Sequence, residues 1–199
     1  MSPAAIKFHA AIEQIRLIRD VTRDPRLRPV NRAQTQAILH ATLAGYVATW
    51  EAYLEQLTRD FYSAISSPAR PDFHALHTIA LARAIRAVQT FNTPNPDNAR
   101  NLLLENTGFD PWPVWIWPAR RMNVVQVREL LTQILDVRHS FAHGYSMRAY
   151  PWTTSVTGRV RLNWAAVSMT EALFRTLITR TDSGMKQHVE TVYALRLPW

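Results

Sequence analysis

Apolar residues recur along this chain at three- and four-residue steps, with charged and polar residues between them. That spacing predicts helices and almost no strands. Residues 4–24 carry Ile6, Ile12, Ile15, Ile18 and Val21 near helical spacing, and Pro25 and Pro29 in "RDPRLRPVN" end the segment. Asn31 then stands where an N-cap is expected. It precedes a second helix to about Ser63, marked by Ile38, Leu39, Leu43, Tyr46, Val47, Trp50, Leu54, Leu57 and Phe61. "SSPARPD" reads as a loop and "FHALHTIALARAIRAVQTF" as a third helix. "NTPNPDN" reads as a turn, and "ARNLLLENTG" as a short helix with Gly108 as its C-terminal cap. "FDPWPVWIWP" holds three prolines, which exclude a regular helix; Trp112, Trp115, Ile116 and Trp117 there need something to bury against.

Asn123 is the expected cap of a further helix whose buried face is Val124, Val127, Leu131, Ile134, Leu135 and Phe141. Residues 144–162 break the pattern, as a loop or a small hairpin turning at Thr157-Gly158. Asn163 caps a last helix, which Asp182 or Ser183 restarts and which runs to Tyr193. With no internal repeat or linker, the expectation is one all-α domain over residues 1–199, built as a helical bundle with decorated connections.

Composition narrows this reading. The chain is 47% hydrophobic and 19% charged, the balance of a globular rather than a disordered protein. No run of about 18 apolar residues occurs, which argues against a membrane span. "MSPAAIKFHAAIEQIRLIRD" lacks the unbroken apolar centre of a signal peptide, so the expected location is cytoplasmic. Cysteine is absent, which removes disulfides, a thiolate nucleophile and Cys-ligated zinc. Net charge is +8, and only Lys7 and Lys186 are lysines. Arginine binds phosphate in planar, bidentate fashion, so this charge suits a nucleic-acid partner. Alanine, arginine and proline also rise together in GC-rich coding sequence, which accounts for the same composition without a partner.

The chemistry concentrates in "LDVRHSFAHGYS", Leu135 to Ser146. His139 and His143 stand at i, i+4, a spacing that suits a metal pair. However, Ser140 occupies the place of the glutamate in H-E-x-x-H, and the second pair, His74 and His77, has no carboxylate near it. The expectation is no metal and no cofactor. Arg138 and His143 form an R-x4-H spacing. Five residues turn a straight helix through about 500°, so the two side chains diverge by about 140°. They converge within one chain only if the helix frays at Gly144 or the arginine stem swings round. An anion between a guanidinium and an imidazole is the chemistry that joins them. RNA carries its own nucleophile, the 2′-hydroxyl, and needs only a base, an acid and charge stabilisation to be cleaved. The plain alternative is a helix C-terminus whose cations gain about 0.3–1 kcal/mol from the helix dipole.

"RHSFAHG" resembles the R-x4-6-H signature of HEPN domains, all-α proteins that include metal-independent endoribonucleases, many of them toxins or antiphage effectors. "VATWEAYLEQLTRDFY", "FNTPNPDNARNLL" and the Trp-rich segment resemble the RiboL-PSP branch, over about Ala44 to Asp182. The resemblance implies an HEPN-like four-helix up-and-down bundle with additional short helices and an irregular Trp-rich insert. It implies a homodimer through the motif-bearing helices, so that two R-x4-H sets face one cleft, with RNA as substrate and an antitoxin as a further partner. Arg138 and His143 take the motif positions, His139 assists, and Ser140 supports them from within the motif. "RHSFAHGY" also fits the R-x4-H-x-Y pattern of a different HEPN branch, in which the tyrosine is adenylylated; Tyr145 is therefore a candidate modification site or simply an aromatic packing the loop. Glu51, between Trp50 and Tyr53, is a candidate for orienting Arg138 or a histidine, or else an exposed or structural charge. The rival to a nuclease is a non-catalytic HEPN module that binds RNA, nucleotide or a protein.

Overall fold

The computed structural model describes residues 1–21, 26, 31–65, 71–197 and 199, apart from the side chains of residues 71 and 72. Among these, six α-helices follow in order: α1 (Pro3–Val21), α2 (Arg32–Ala64), α3 (Pro71–Thr90), α4 (Pro96–Thr107), α5 (Val124–Ala142) and α6 (Trp164–Tyr193). The described residues form isolated β-bridges but no strand. The architecture is all-α, as the apolar spacing predicts. The expected stop at Pro25 and Pro29, and most of the expected "SSPARPD" loop, lie outside the described residues.

Asparagine starts four of the helices. Asn31 and Asn123 each form a capping box, with Gln34 and Gln126 respectively. Asn163 accepts from the Ala166 amide. Asn95 accepts from the Asn98 amide and sets Pro96 at the first helical position. The expected "NTPNPDN" turn is thus half right: its second half is the first turn of α4, because Asn-Pro is itself a cap followed by a favoured N1 residue. Gly108 ends α4 in the left-handed region at φ 74°, as expected of a glycine cap.

Helix α2 lies at the centre and touches each of the other five. Its Trp50 stacks on Phe174 of α6 and meets Trp115 edge-on, with ring centres 5.7 Å apart in both pairs. Trp115 and Trp117 are buried, and Trp115 Nε1 donates to Thr181 Oγ1 at 2.9 Å. Trp112 stays half-buried, with the guanidinium of Arg128 3.7 Å from its ring centre and that of Arg100 4.1 Å away. The Trp-rich segment is therefore two short 3₁₀ turns, Trp112–Val114 and Pro118–Arg120, closing over the α2–α6 seam.

Three expectations need correction. In α1, Ile6, Ile18 and Val21 are exposed; the buried stripe is Ala4, Ala5, Phe8, Ile12 and Ile15, along the contact with α2 and α6. Phe141 is 47% exposed, because the last turn of α5 runs out where α2 offers it only the imidazole of His40. Finally, α6 does not restart at Asp182 or Ser183 but continues unbroken to Tyr193. Asp182 is buried and accepts from the Ser2 amide, while Asp60 of α2 accepts from the Ala4 amide, so two carboxylates hold the start of α1. Residues 144–162 contain the minimal hairpin, one bridge between Thr154 and Val160 around Gly158 at φ 75°.

Candidate functional site

The side chains singled out in the sequence gather at the C-terminal end of α5. The helix remains regular through Ala142 and then stops cleanly. His143 is the cap residue, Gly144 takes φ 69°, its amide donates to Phe141 O, and the Tyr145 amide donates to Ser140 O at 2.8 Å. This is a Schellman closure, which needs a residue tolerant of positive φ at position 144. The helix does not fray, so the backbone does not bring Arg138 and His143 together, and no hydrogen bond joins them among the described residues.

What the helix does bring together is a row of rings. His139 and His143 lie nearly parallel, with centres 6.0 Å apart and planes 14° apart. Tyr145 continues the row at 5.8 Å from His143 and 29°. His143 and Tyr145 are exposed, Tyr145 at 72%, so the tyrosine does not pack into the loop; it stacks on the imidazole from outside. Arg138 and His139 are half-buried beside them. Ser140 faces inward, and its hydroxyl donates to Val137 O, so its contribution is to the helix and not to a ligand.

Glu51 sits half-buried on α2. Burial first, then the charge of Glu55, pushes its carboxyl above the usual range, while the positive charge of Arg138 pulls the other way. Arg138 acts on Glu51 through space, with no hydrogen bond or ion pair between them among the described residues.

The surroundings hold the end of α5 in place through residues that sequence periodicity does not single out. His40 of α2 lies flat against Phe141, centres 4.6 Å apart and planes 4° apart, and burial lowers the pKa of its imidazole. Asp136, two residues before Arg138, accepts from Tyr150 Oη at 2.7 Å and from Arg148 at 3.4 Å. Trp152 Nε1 donates to Gln133 at 2.9 Å. These contacts fold the 144–154 connection back along α5. Aromatic residues in a polar loop were their only sequence signal.

Among the described residues, no three His, Asp or Glu side chains are grouped to hold a metal ion, and His74 and His77 lie along α3 away from this end. A cavity of about 470 Å³ lies between α2, α3 and the segment after α6, lined by Phe61, Tyr62, Leu76 and Tyr193. It is lined by none of the motif residues, and its apolar walls suit no phosphate chemistry. No helix among the described residues is long and apolar enough to cross a membrane. The chain matches no family model, no curated protein and no solved structure.

The arrangement offers two imidazoles at the surface, a guanidinium on the adjoining face of the same turn, and a backbone fixed by a Schellman closure. An imidazole can take or give a proton, and a guanidinium can neutralise a phosphate. The regular helix sets the two positions about 140° apart around its axis.

Proposed function

We propose that the end of α5 is one half of a metal-independent ribonuclease site of HEPN type, completed by a second copy of the chain. The observation that carries this reading is a helix that stays regular through Ala142, which sets the Arg138 and His143 positions on different faces, with His143 open to solvent. A second α5 laid against the first supplies the missing partners, so that a guanidinium from one subunit and an imidazole from the other reach one anion. The fold reading belongs with it: a four-helix up-and-down core with added short helices and a Trp-rich insert.

In this reading His143 takes the proton from the ribose 2′-hydroxyl, and the 2′-oxygen attacks the adjacent phosphorus. Arg138 binds the non-bridging oxygens as negative charge builds on the phosphorane. An imidazolium protonates the departing 5′-oxygen, a role open to the second copy's motif histidine or to His139. The products are a 2′,3′-cyclic phosphate and a free 5′-hydroxyl. Glu51 biases the charge around Arg138 from α2. The biological role that fits is a cytoplasmic toxin or antiphage effector held in check by an antitoxin.

The test is incubation of the purified chain with RNA in EDTA. Cleavage giving cyclic-phosphate ends, abolished by Arg138→Ala and by His143→Ala, supports the proposal. RNA bound but left intact points instead to a non-catalytic RNA-binding module.

A further inference from the structure

A second cleft lies beside the start of α2. It encloses about 300 Å³ and is lined by Arg32, Thr35, Gln36 and Leu39 from α2 and by Arg161, Leu162, Asn163 and Trp164 where α6 begins. Its walls are fixed to one another. Gln36 Nε2 donates to Leu162 O at 2.9 Å, and the Leu162 amide donates back to Gln36 Oε1 at 3.2 Å.

What this cleft does is bring two guanidiniums to one space. Arg16, Arg59, Arg83, Arg100, Arg128, Arg148 and Arg175 each have a carboxylate partner. Arg32 and Arg161 share a cleft, and neither has a carboxylate partner among the described residues. Two exposed guanidiniums facing one space repel each other, and an anion between them relieves that repulsion. The asparagine caps at Asn31 and Asn163 already take amides from the first turns of α2 and α6, so the arginine side chains are the groups left to bind. Trp164 packs against the core and also lines the cleft, half-buried, so that two guanidiniums and an aromatic side chain border one space, the pairing used for the backbone and bases of single-stranded nucleic acid.

Helix α2 links the cleft to the end of α5. Leu39 lines the cleft, and the next residue, His40, stacks on Phe141 between Arg138 and His143. Arg32 precedes His40 by eight residues, about 12 Å along the helix axis. A few nucleotides of an extended strand span that interval.

We infer that the Arg32–Arg161 cleft is a subsite for a backbone phosphate of single-stranded RNA, with Trp164 as a stacking surface, a few nucleotides from the group held at Arg138 and His143. This rests on the ribonuclease reading for its substrate and extends it to what positions the strand.

The experiment measures binding of the full-length His143→Ala chain to a labelled, unstructured RNA of about 16 nucleotides. Affinity is followed from about 50 to about 200 mM salt. Arg32→Glu with Arg161→Glu is compared with Arg86→Glu and Arg180→Glu, a pair on α3 and α6 that changes net charge equally. The cleft pair is expected to weaken binding about tenfold more than the control pair. It should also flatten the plot of log affinity against log salt by about 0.7, the loss of one single-strand phosphate. Equal effects from the two pairs overturn the subsite. If charge reversal unfolds the chain, Arg32→Gln with Arg161→Gln gives the same comparison with a smaller loss.

Cleavage by the wild-type chain separates this inference from its parent. RNA bound through Arg32 and Arg161 but never cut leaves the subsite standing and removes the nuclease. Cleavage dependent on Arg138, with cleft and control pairs alike in binding and rate, removes the subsite and leaves the nuclease. A chain with no affinity for RNA overturns both.

Discussion

The imidazole of His139 lies almost parallel to that of His143, ring centres 6.0 Å apart, on the last turn of α5. The pair follows from the i, i+4 spacing and from a helix that stays intact to its final residue. It gives the two rings different standing: His143 is exposed at the cap, and His139 is half-buried behind it. Replacing His143 with alanine should lower RNA cleavage by about 10²–10⁴-fold, and His139→Ala should lower it less. Initial rates with matched, folded proteins decide the order; His139→Ala as the more damaging change would exchange the two roles.

His40 against Phe141 makes the end of α5 sensitive to pH. Burial lowers the His40 pKa from its ordinary value of 6.5. The unfolded chain therefore binds the proton more readily than the folded one, and stability rises with pH through that interval. The wild type should lose stability as pH falls from 6.5 through the folded-state value. His40→Phe keeps the stacking without the proton and should flatten that part of the curve. Thermal unfolding at a series of pH values gives the comparison.

Glu171 is a buried carboxylate that accepts from Arg16, Arg175 and Tyr46, the last at 2.9 Å. Burial pushes its pKa up, and the hydrogen bonds from Arg16, Arg175 and Tyr46 together hold it below its ordinary value of 4.5. This contribution to stability is present above 4.5 and is lost as pH falls through the folded-state value. Glu171→Gln should cost about 2 kcal/mol at neutral pH, since the arginines are partly solvated. The variant should also show a shallower acid limb. Denaturant unfolding at neutral and acidic pH checks both.

Gly184 lies inside α6 with Phe109 against it. A Cβ at this position would stand 2.7 Å from Phe109 Cζ. Gly184→Ala should destabilise the fold by about 1–3 kcal/mol through overpacking, despite alanine's better helix propensity. Adding Phe109→Leu should recover part of the loss. A stabilised Gly184→Ala protein would mean that the Trp-rich segment does not close over α6 as described.

The same residues show what the sequence could convey. Asn31, Asn123 and Asn163 were legible as caps because capping is chemistry over three or four residues. The angular offset of positions 138 and 143 was legible because it follows from the helical repeat alone. Asp182 and Ser183 were misleading: read locally they resemble the cap of a restarted helix. In the fold, Asp182 accepts from the Ser2 amide, and Gly184 makes room for Phe109. Both reasons depend on partners far away in sequence. Phe141 was misjudged for a related reason, since periodicity assigns a face but not whether a neighbour extends far enough to cover it. Arg32 and Arg161 lie far apart along the chain, and only the fold brings them to one cleft.

The proposed phosphate pocket takes a side chain from each of two chains. RNA cleavage in EDTA by Arg138→Ala and His143→Ala, each alone and then mixed to form heterodimers, tests it most directly. Two inactive proteins should regain cleavage on mixing, because a mixed dimer still holds one intact guanidinium and one intact imidazole. Variants that each cut as fast as the wild type, or an active wild type whose inactive variants never complement one another, would contradict it.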